Sequence, residues 1–372
     1  MIPEQITDAA ASPDEAGSGK LVSIQPEYST VSPFNCNNSK LLLVHQSYFG
    51  LYSVDPLRYL GPLPFEINAS AEPRWSRNDP DALYFLQGNE LRSFDLGAGD
   101  SLLVRKFTEY NRVSGKGEGD LPERGDLFVF CGDDRKIFTY QANKDQASNP
   151  LDIGVHSVEG LGLYATPDNH ALISWGERGT GRFQGIELFD IDMNFVRQVA
   201  NAGGHMDVTR WEDGREVLVW CNANAANPVC PNGIVLVDLQ SDPAEHTCIV
   251  SLDWSLAMHI SAPDNAGCVF VSTEKEFSNG AQWTTFENEI LRVGLDGSTV
   301  SLGPHRSKIT GDPIQKYNSQ PKVACSRDGR LLVFGSNAGG DVMNTYLLRV
   351  DPPHMHHRPP RKVGGRVPHR RG

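Results

Sequence analysis

The sequence contains no apolar run near the roughly 20 residues that a membrane-spanning helix needs, and no stretch with helical amphipathic period. Its opening, MIPEQITDAAASPDEAGSGK, lacks the basic-then-apolar order of a secretory signal. Cysteine is scarce and odd in number, seven in 372 residues, and no C-x-x-C occurs. A disulfide framework, a zinc ribbon and a thioredoxin-type centre are therefore not expected. Cys131, Cys221 and Cys268 lie inside apolar runs and read as small buried hydrophobes. A reducing, cytoplasmic location is the matching expectation. Positive charge is also short, with 34 Lys and Arg against 46 Asp and Glu. Six of the basic residues fall in residues 352–372, so residues 1–351 carry a net charge of −18. A body of that sign repels phosphates, which argues against a general binder of nucleic acid or anionic membrane. The G-x-S-x-G elbow and the Walker-type glycine loop are missing too.

What the chain does have is a repeat. A short turn signal recurs as SPFN at 32–35, SRND at 76–79, PERG at 122–125, TPDN at 166–169, WEDG at 211–214, APDN at 262–265 and SRDG at 326–329. Successive turns are 44, 46, 44, 45, 51 and 64 residues apart. Each is followed by two strand-like runs, for example REVLVWCN then GIVLVDL after the fifth. A period of about 40–45 residues made of strands and turns predicts an all-β chain, a seven-bladed β-propeller. The seventh unit ends at Val350 without an outer strand, and residues 20–24 are expected to fill that place and close the ring. The domain reading is a disordered segment at 1–19, the propeller at 20–351 and a disordered basic tail at 352–372. That tail is Pro- and Arg-rich without period.

Propellers carry their ligands at a mouth of the central channel, so the residues ahead of each turn are the candidates. They are polar: Glu72 and Arg74, Glu118 and Asp120, Glu159, His205 and Asp207, His259, Gln320 and Lys322. His205, after a Gly pair, is the natural proton acceptor, because imidazole changes charge near neutral pH. His259 recurs one unit later. Arg178 and Arg182, in the loop GERGTGRFQG, have planar forks suited to gripping a carboxylate.

With these residues in view, the chain resembles the oligogalacturonate lyase family of WD40-like propellers and its TolB-like relatives. Members of that family cleave uronate oligosaccharides by β-elimination. The resemblance implies an arginine, Arg182 or Arg178, followed by a histidine base, His205, and a first metal ligand, His259. The family's Q-x-x-H-x-H-P cluster is matched by Gln315-Lys-Tyr-Asn318-Ser-Gln320-Pro321, with both histidines replaced by amides. Manganese is the implied metal; the amide oxygens suit a harder ion such as calcium, or none, with Lys322 then neutralising the substrate carboxylate in place of a metal. The resemblance further assigns Tyr317 as proton donor, and Arg74, Arg178, Asp207 and Lys322 to a small acidic saccharide. A non-catalytic ligand- or protein-binding propeller is the alternative reading, since fold alone does not set function. A hydrolase using Glu72, Glu118 or Asp120 is a third.

Overall fold

The structure, a computed structural model, describes residues 2–17, 19–63, 71–222, 230–252, 257–276 and 284–351. Seven antiparallel sheets follow one another along the chain. Blade 5 shows the plan: an inner strand Met206–Arg210, then Glu216–Asn222, Gly233–Asp238 and an outer strand Glu245–Ser251, each paired with the next. The helical elements include Pro313–Asn318 and a 3-10 turn at Ala142–Lys144. No described helix is long and apolar enough to cross a membrane.

Strand alternation welds the blades into a ring. In Glu216–Asn222 every residue is buried, and successive side chains point to opposite faces of the sheet. Val217, Val219 and Cys221 pack against Met258, Ile260, Val269 and Val271 of blade 6. Leu218 and Trp220 pack the other way, against Leu172 and Leu188 of blade 4. The pattern repeats at every junction. At the last one, Leu41 and Leu43 of blade 1 meet Val333 and Leu347 of blade 7.

Closure is made differently from the expectation. The fourth strand of blade 7 is Glu4–Gln5, paired antiparallel with Asn344–Arg349 in the register Glu4↔Leu347 and Gln5↔Tyr346. Ile24–Gln25 is instead the inner strand of blade 1, paired with Lys40–His45. The first turn signal needs an inner strand before it, like every other turn, and that requirement takes Ile24. Residues 22–24 still touch blade 7, where Val22 O and Ile24 N bond the Met343 backbone at 2.9 and 3.0 Å. The segment 1–19 is correspondingly not a loose tail. Ile6 N donates to Thr345 O at 2.9 Å, Ala9 N to Asn344 Oδ1 at 2.8 Å, and Ala9 is fully buried in the closing core. The expected basic tail at 352–372 lies outside the described residues.

Cys131, Cys221 and Cys268 are buried thiols. Cys230 and Cys248 form a disulfide beside the outer hairpin of blade 5, with their Cα atoms 5.2 Å apart. One bridge beside five free cysteines is not a disulfide framework, but it is a pairing that the sequence reading did not anticipate. The pairing depends on hairpin register, which cysteine spacing does not reveal.

Candidate active site

The inner strands run the same way around the ring, so the residues at their starts collect at one mouth. In blade 5 the chain reaches this mouth through Gly203 and Gly204. A Cβ on Gly203 would stand 2.5 Å from Ser174 Oγ and 2.7 Å from Trp175 O, so only glycine lets the backbone pass. Beyond it, His205, Asp207 and Thr209 share one face of the strand and all bond to blade 6. His205 Nδ1 bonds Met258 O. Ala262 N donates to Asp207 Oδ2 at 2.6 Å, and Thr209 Oγ1 donates to Pro263 O at 2.6 Å. A carbonyl only accepts, so neutral His205 carries its proton on Nδ1 and keeps a lone pair on Nε2.

His259 lies on the inner strand Ala257–Ser261 of blade 6, and its ring stacks on that of His205 at 4.2 Å and 30°. Tyr28 stands edge-on to both rings, with centroids 6.4 Å from His205 and 5.4 Å from His259. Behind them His259 Nδ1 lies 2.6 Å from Glu274 Oε1, and both side chains are buried. The far atoms of this pair, His259 Nε2 and Glu274 Oε2, are buried without a hydrogen-bond partner. Lys322 enters from blade 7, only 4% exposed, with Nζ 3.7 Å from the Tyr317 ring centre. On the other side Glu118 accepts from Tyr164 Oη and lies beside the Tyr28 hydroxyl.

Burial governs the electrostatics. It pulls His205 down to about 4, helped by the neighbouring His259. It pulls His259 down to about 3, helped by the Lys322 ammonium. Glu274 is pushed up to about 7 by burial, against the fields of His205, His305 and Lys322. Lys322 is drawn down to about 8 by burial, while Glu274 works to hold its proton. Near neutral pH the mouth therefore presents two neutral imidazoles, an ammonium and the partly ionised Glu274 carboxylate behind them. Such a set can accept a proton and bind an anion.

The candidates from the sequence divide. His205, His259, Lys322 and Tyr317 come together. Arg182 does not: its Nε donates to buried Glu187 at 2.8 Å, and its guanidinium sits 3.9 Å over Phe195, on the outer strand of blade 4. Arg178 is exposed in the same loop. The loop is long enough to read as a mouth arm, yet Glu187 and the rim aromatics hold Arg182 at the outside of the blade. Arg74 is buried, with its donors spent on Glu27 at 3.1 Å, Gly119 O at 2.6 Å, Pro73 O at 2.8 Å and Gly117 O at 3.2 Å. Asp207 is a latch between blades, occupied by the Ala262 and Val208 amides. Neither is open to a saccharide.

The implied metal set is scattered as well. Gln315 closes the capping box of the helix Pro313–Asn318, accepting from Asp312 N at 2.9 Å while its own N–H donates to Asp312 Oδ1 at 2.9 Å. That helix has no buried residue, so Asn318 lies at the surface while His259 is fully buried. Gln320 Oε1 is buried without a partner. Among the described residues no three His, Cys, Asp or Glu converge as a metal site. The residues present do not fit manganese.

Sequence reading missed Tyr28, Tyr164 and Glu274. The signal for Glu274 was there: it ends Cys268–Glu274, a strand buried at every position, where a carboxylate is costly unless something faces it.

No family model matches the chain, and no curated protein matches it either. Similar solved structures exist. An oligogalacturonate lyase from Vibrio parahaemolyticus superimposes with a TM-score of 0.63 at 10% identity, over 93% of each chain. An oligogalacturonate lyase in complex with manganese gives 0.59 at 11% identity, over 88% of this chain and 90% of its own. The β-propeller domain of Cps50 (Swd1) from Myceliophteria thermophila gives 0.54 at 13% identity, over 94% and 100%. At these identities the likeness is one of fold: the chain is a seven-bladed β-propeller of the kind seen in oligogalacturonate lyase.

Proposed function

We propose that the mouth holding His205, His259 and Lys322 binds an acidic saccharide and cleaves it by β-elimination. The observation that carries this reading is the stack of the His205 and His259 rings at 4.2 Å, with the buried Lys322 side chain at the same mouth. The Lys322 ammonium pairs with the uronate carboxylate, which makes the adjacent C5 proton acidic and stabilises the charge that develops as it leaves. His205 Nε2 takes that proton. The C5 electron pair forms the C4=C5 double bond, the C4–O4 bond breaks, and the leaving oxygen takes a proton from the Tyr317 hydroxyl. His259 and Tyr28 hold the His205 ring from two sides, so its lone pair keeps one direction.

A second reading, a propeller that binds such a saccharide without cleaving it, is favoured by one observation: Arg182 is tied to Glu187 at the rim and does not reach the mouth. Incubation with a panel of uronate oligosaccharides separates the two. Growth in the absorbance of the 4,5-unsaturated product supports the lyase, saturable binding without that product supports the binder, and neither result removes the saccharide.

A further inference from the structure

We infer that this mouth works without a divalent metal, the Lys322 ammonium holding the ligand's carboxylate in its stead. The inference deepens the reading above and concerns the same site. Three features of the structure carry it.

The first is donor supply. Of the two side chains that meet behind His205, one atom of each is spent on the other, His259 Nδ1 on Glu274 Oε1 at 2.6 Å. Two bare atoms remain, His259 Nε2 and Glu274 Oε2. His205 Nε2 and Gln320 Oε1 are open as well, but no three His, Cys, Asp or Glu converge as a metal site among the described residues, and Gln315 is committed to its helix cap.

The second is the position of Lys322. Its φ is +46°, in the left-handed region that a side-chain-bearing residue enters only under constraint. The constraint is visible on both sides. Gly335 N donates to Pro321 O at 2.8 Å, and Val323 N donates to Ser272 Oγ at 3.4 Å. The chain is thus pinned to blades 6 and 7 around one residue, and that residue is a buried lysine. A divalent ion set against His259 and Glu274 would face its positive charge.

The third is what the ammonium needs. Nζ has three N–H donors and rests on the Tyr317 ring, which the helix Pro313–Asn318 lays over it half exposed. A ring face attracts a cation but neutralises no charge. Glu274 supplies part of the counter-charge through space, and a carboxylate arriving from solvent past Tyr317 supplies the rest.

The test uses the full chain, treated with chelator and then titrated by calorimetry with manganese and with calcium. No saturable heat is expected, and the melting temperature should be unchanged by either ion. Stoichiometric manganese binding that disappears in His259→Ala would overturn the inference. A second arm titrates trigalacturonate into the metal-free protein and into Lys322→Met. Binding to the metal-free protein, weakened about tenfold or more in Lys322→Met and partly kept in Lys322→Arg, is the expected result. Equal affinity of Lys322→Met at an unchanged melting temperature would overturn it. Trigalacturonate that binds neither protein removes the acidic-saccharide reading and Lys322's role as its carboxylate partner, whereas binding that appears only on adding manganese removes metal independence alone.

Discussion

At the end of the channel where the inner strands finish, charged groups pair with one another, although Arg327 Nε is itself buried without a partner. Arg327 Nη2 lies 3.1 Å from Asp120 Oδ1, and Asp120 also accepts from Ser32 N and Leu121 N. Arg77 pairs with Asp264, and Arg210 bridges Asp168 and Glu123 at 2.9 Å each. At the end where the strands begin, His259 Nε2 and Glu274 Oε2 have no partner, and Lys322 meets only the face of a ring among the hydrogen bonds and contacts described. Both ends are polar, but the paired end draws largely on the turn residues and the open end on residues just ahead of the turns, with Glu274 from a second strand. Polarity at a propeller mouth therefore does not by itself mark a site. What sets the open end apart is that two unpartnered atoms, His259 Nε2 and Glu274 Oε2, belong to one buried pair next to the stacked His205 ring, since a buried polar atom without a partner costs about 1–3 kcal/mol unless something arrives to meet it.

The comparison predicts opposite behaviour for substitutions at the two ends. His205→Ala should lower turnover of a uronate oligosaccharide by about 10²–10⁴, the usual worth of a general base. Its melting temperature should stay within a few degrees of the wild type, since the half-buried ring makes one bond to the Met258 carbonyl. Kinetics and a thermal melt on the same preparation check both halves. Wild-type turnover in this variant would break the comparison at its functional end.

Asp207→Ala should do the reverse. It strips the buried carboxylate that joins the Ala262 and Val208 amides and leaves two partly buried N–H groups without that partner. A loss of about 2–4 kcal/mol in unfolding free energy is expected, read from the shift of the denaturant midpoint. A midpoint equal to wild type would show that the blade latch is not structural.

The disulfide extends the division to the rim. Cys230 and Cys248 are 18 residues apart, a loop for which cross-linking is worth about 3 kcal/mol. Reduction should lower the melting temperature and raise the count of reactive thiols in denaturant from five to seven. The same count on freshly isolated protein bears on location. Disulfides persist in oxidising compartments and are rare in the cytosol, so an intact bridge in the native protein speaks against the cytoplasmic expectation.

Much of this was legible in the sequence, and the rest was hidden for identifiable reasons. The turn-and-strand period reported the seven blades because each must bury the same two faces. His205, His259 and Lys322 emerged together because period fixes position along the channel axis. Period says nothing of distance from that axis, so Arg182, in the loop leading into the third strand of its blade, was misread as a mouth residue. The closing strand Glu4–Gln5 pairs through two residues, both exposed, and two residues carry no alternation. Glu274 was passed over as a strand terminus, since its role depends on the diagonal neighbour His259 across the register His259↔Ser272.

The smallest expected effect comes from a histidine away from the channel, and it serves as a control for the mouth. His45 is buried on blade 1, with Nδ1 3.2 Å from Tyr48 Oη and Nε2 2.8 Å from Tyr52 Oη, so both nitrogens are spent. Burial pulls it down to about 4, while an unfolded chain titrates its histidines near 6.5. Between those values the unfolded state binds a proton that the folded state refuses. The stabilising contribution is therefore whole above pH 6.5 and is lost as pH falls toward 4. His45→Gln removes the titration and keeps a hydrogen-bonding side chain. The variant should be less stable than wild type at pH 7, and the gap should narrow by about 2 kcal/mol by pH 4.5. Denaturant melts at the two pH values give that difference directly. A gap that stays constant would mean that His45 takes its proton without unfolding, and a histidine with both nitrogens occupied would then no longer contrast with the open pair at the mouth.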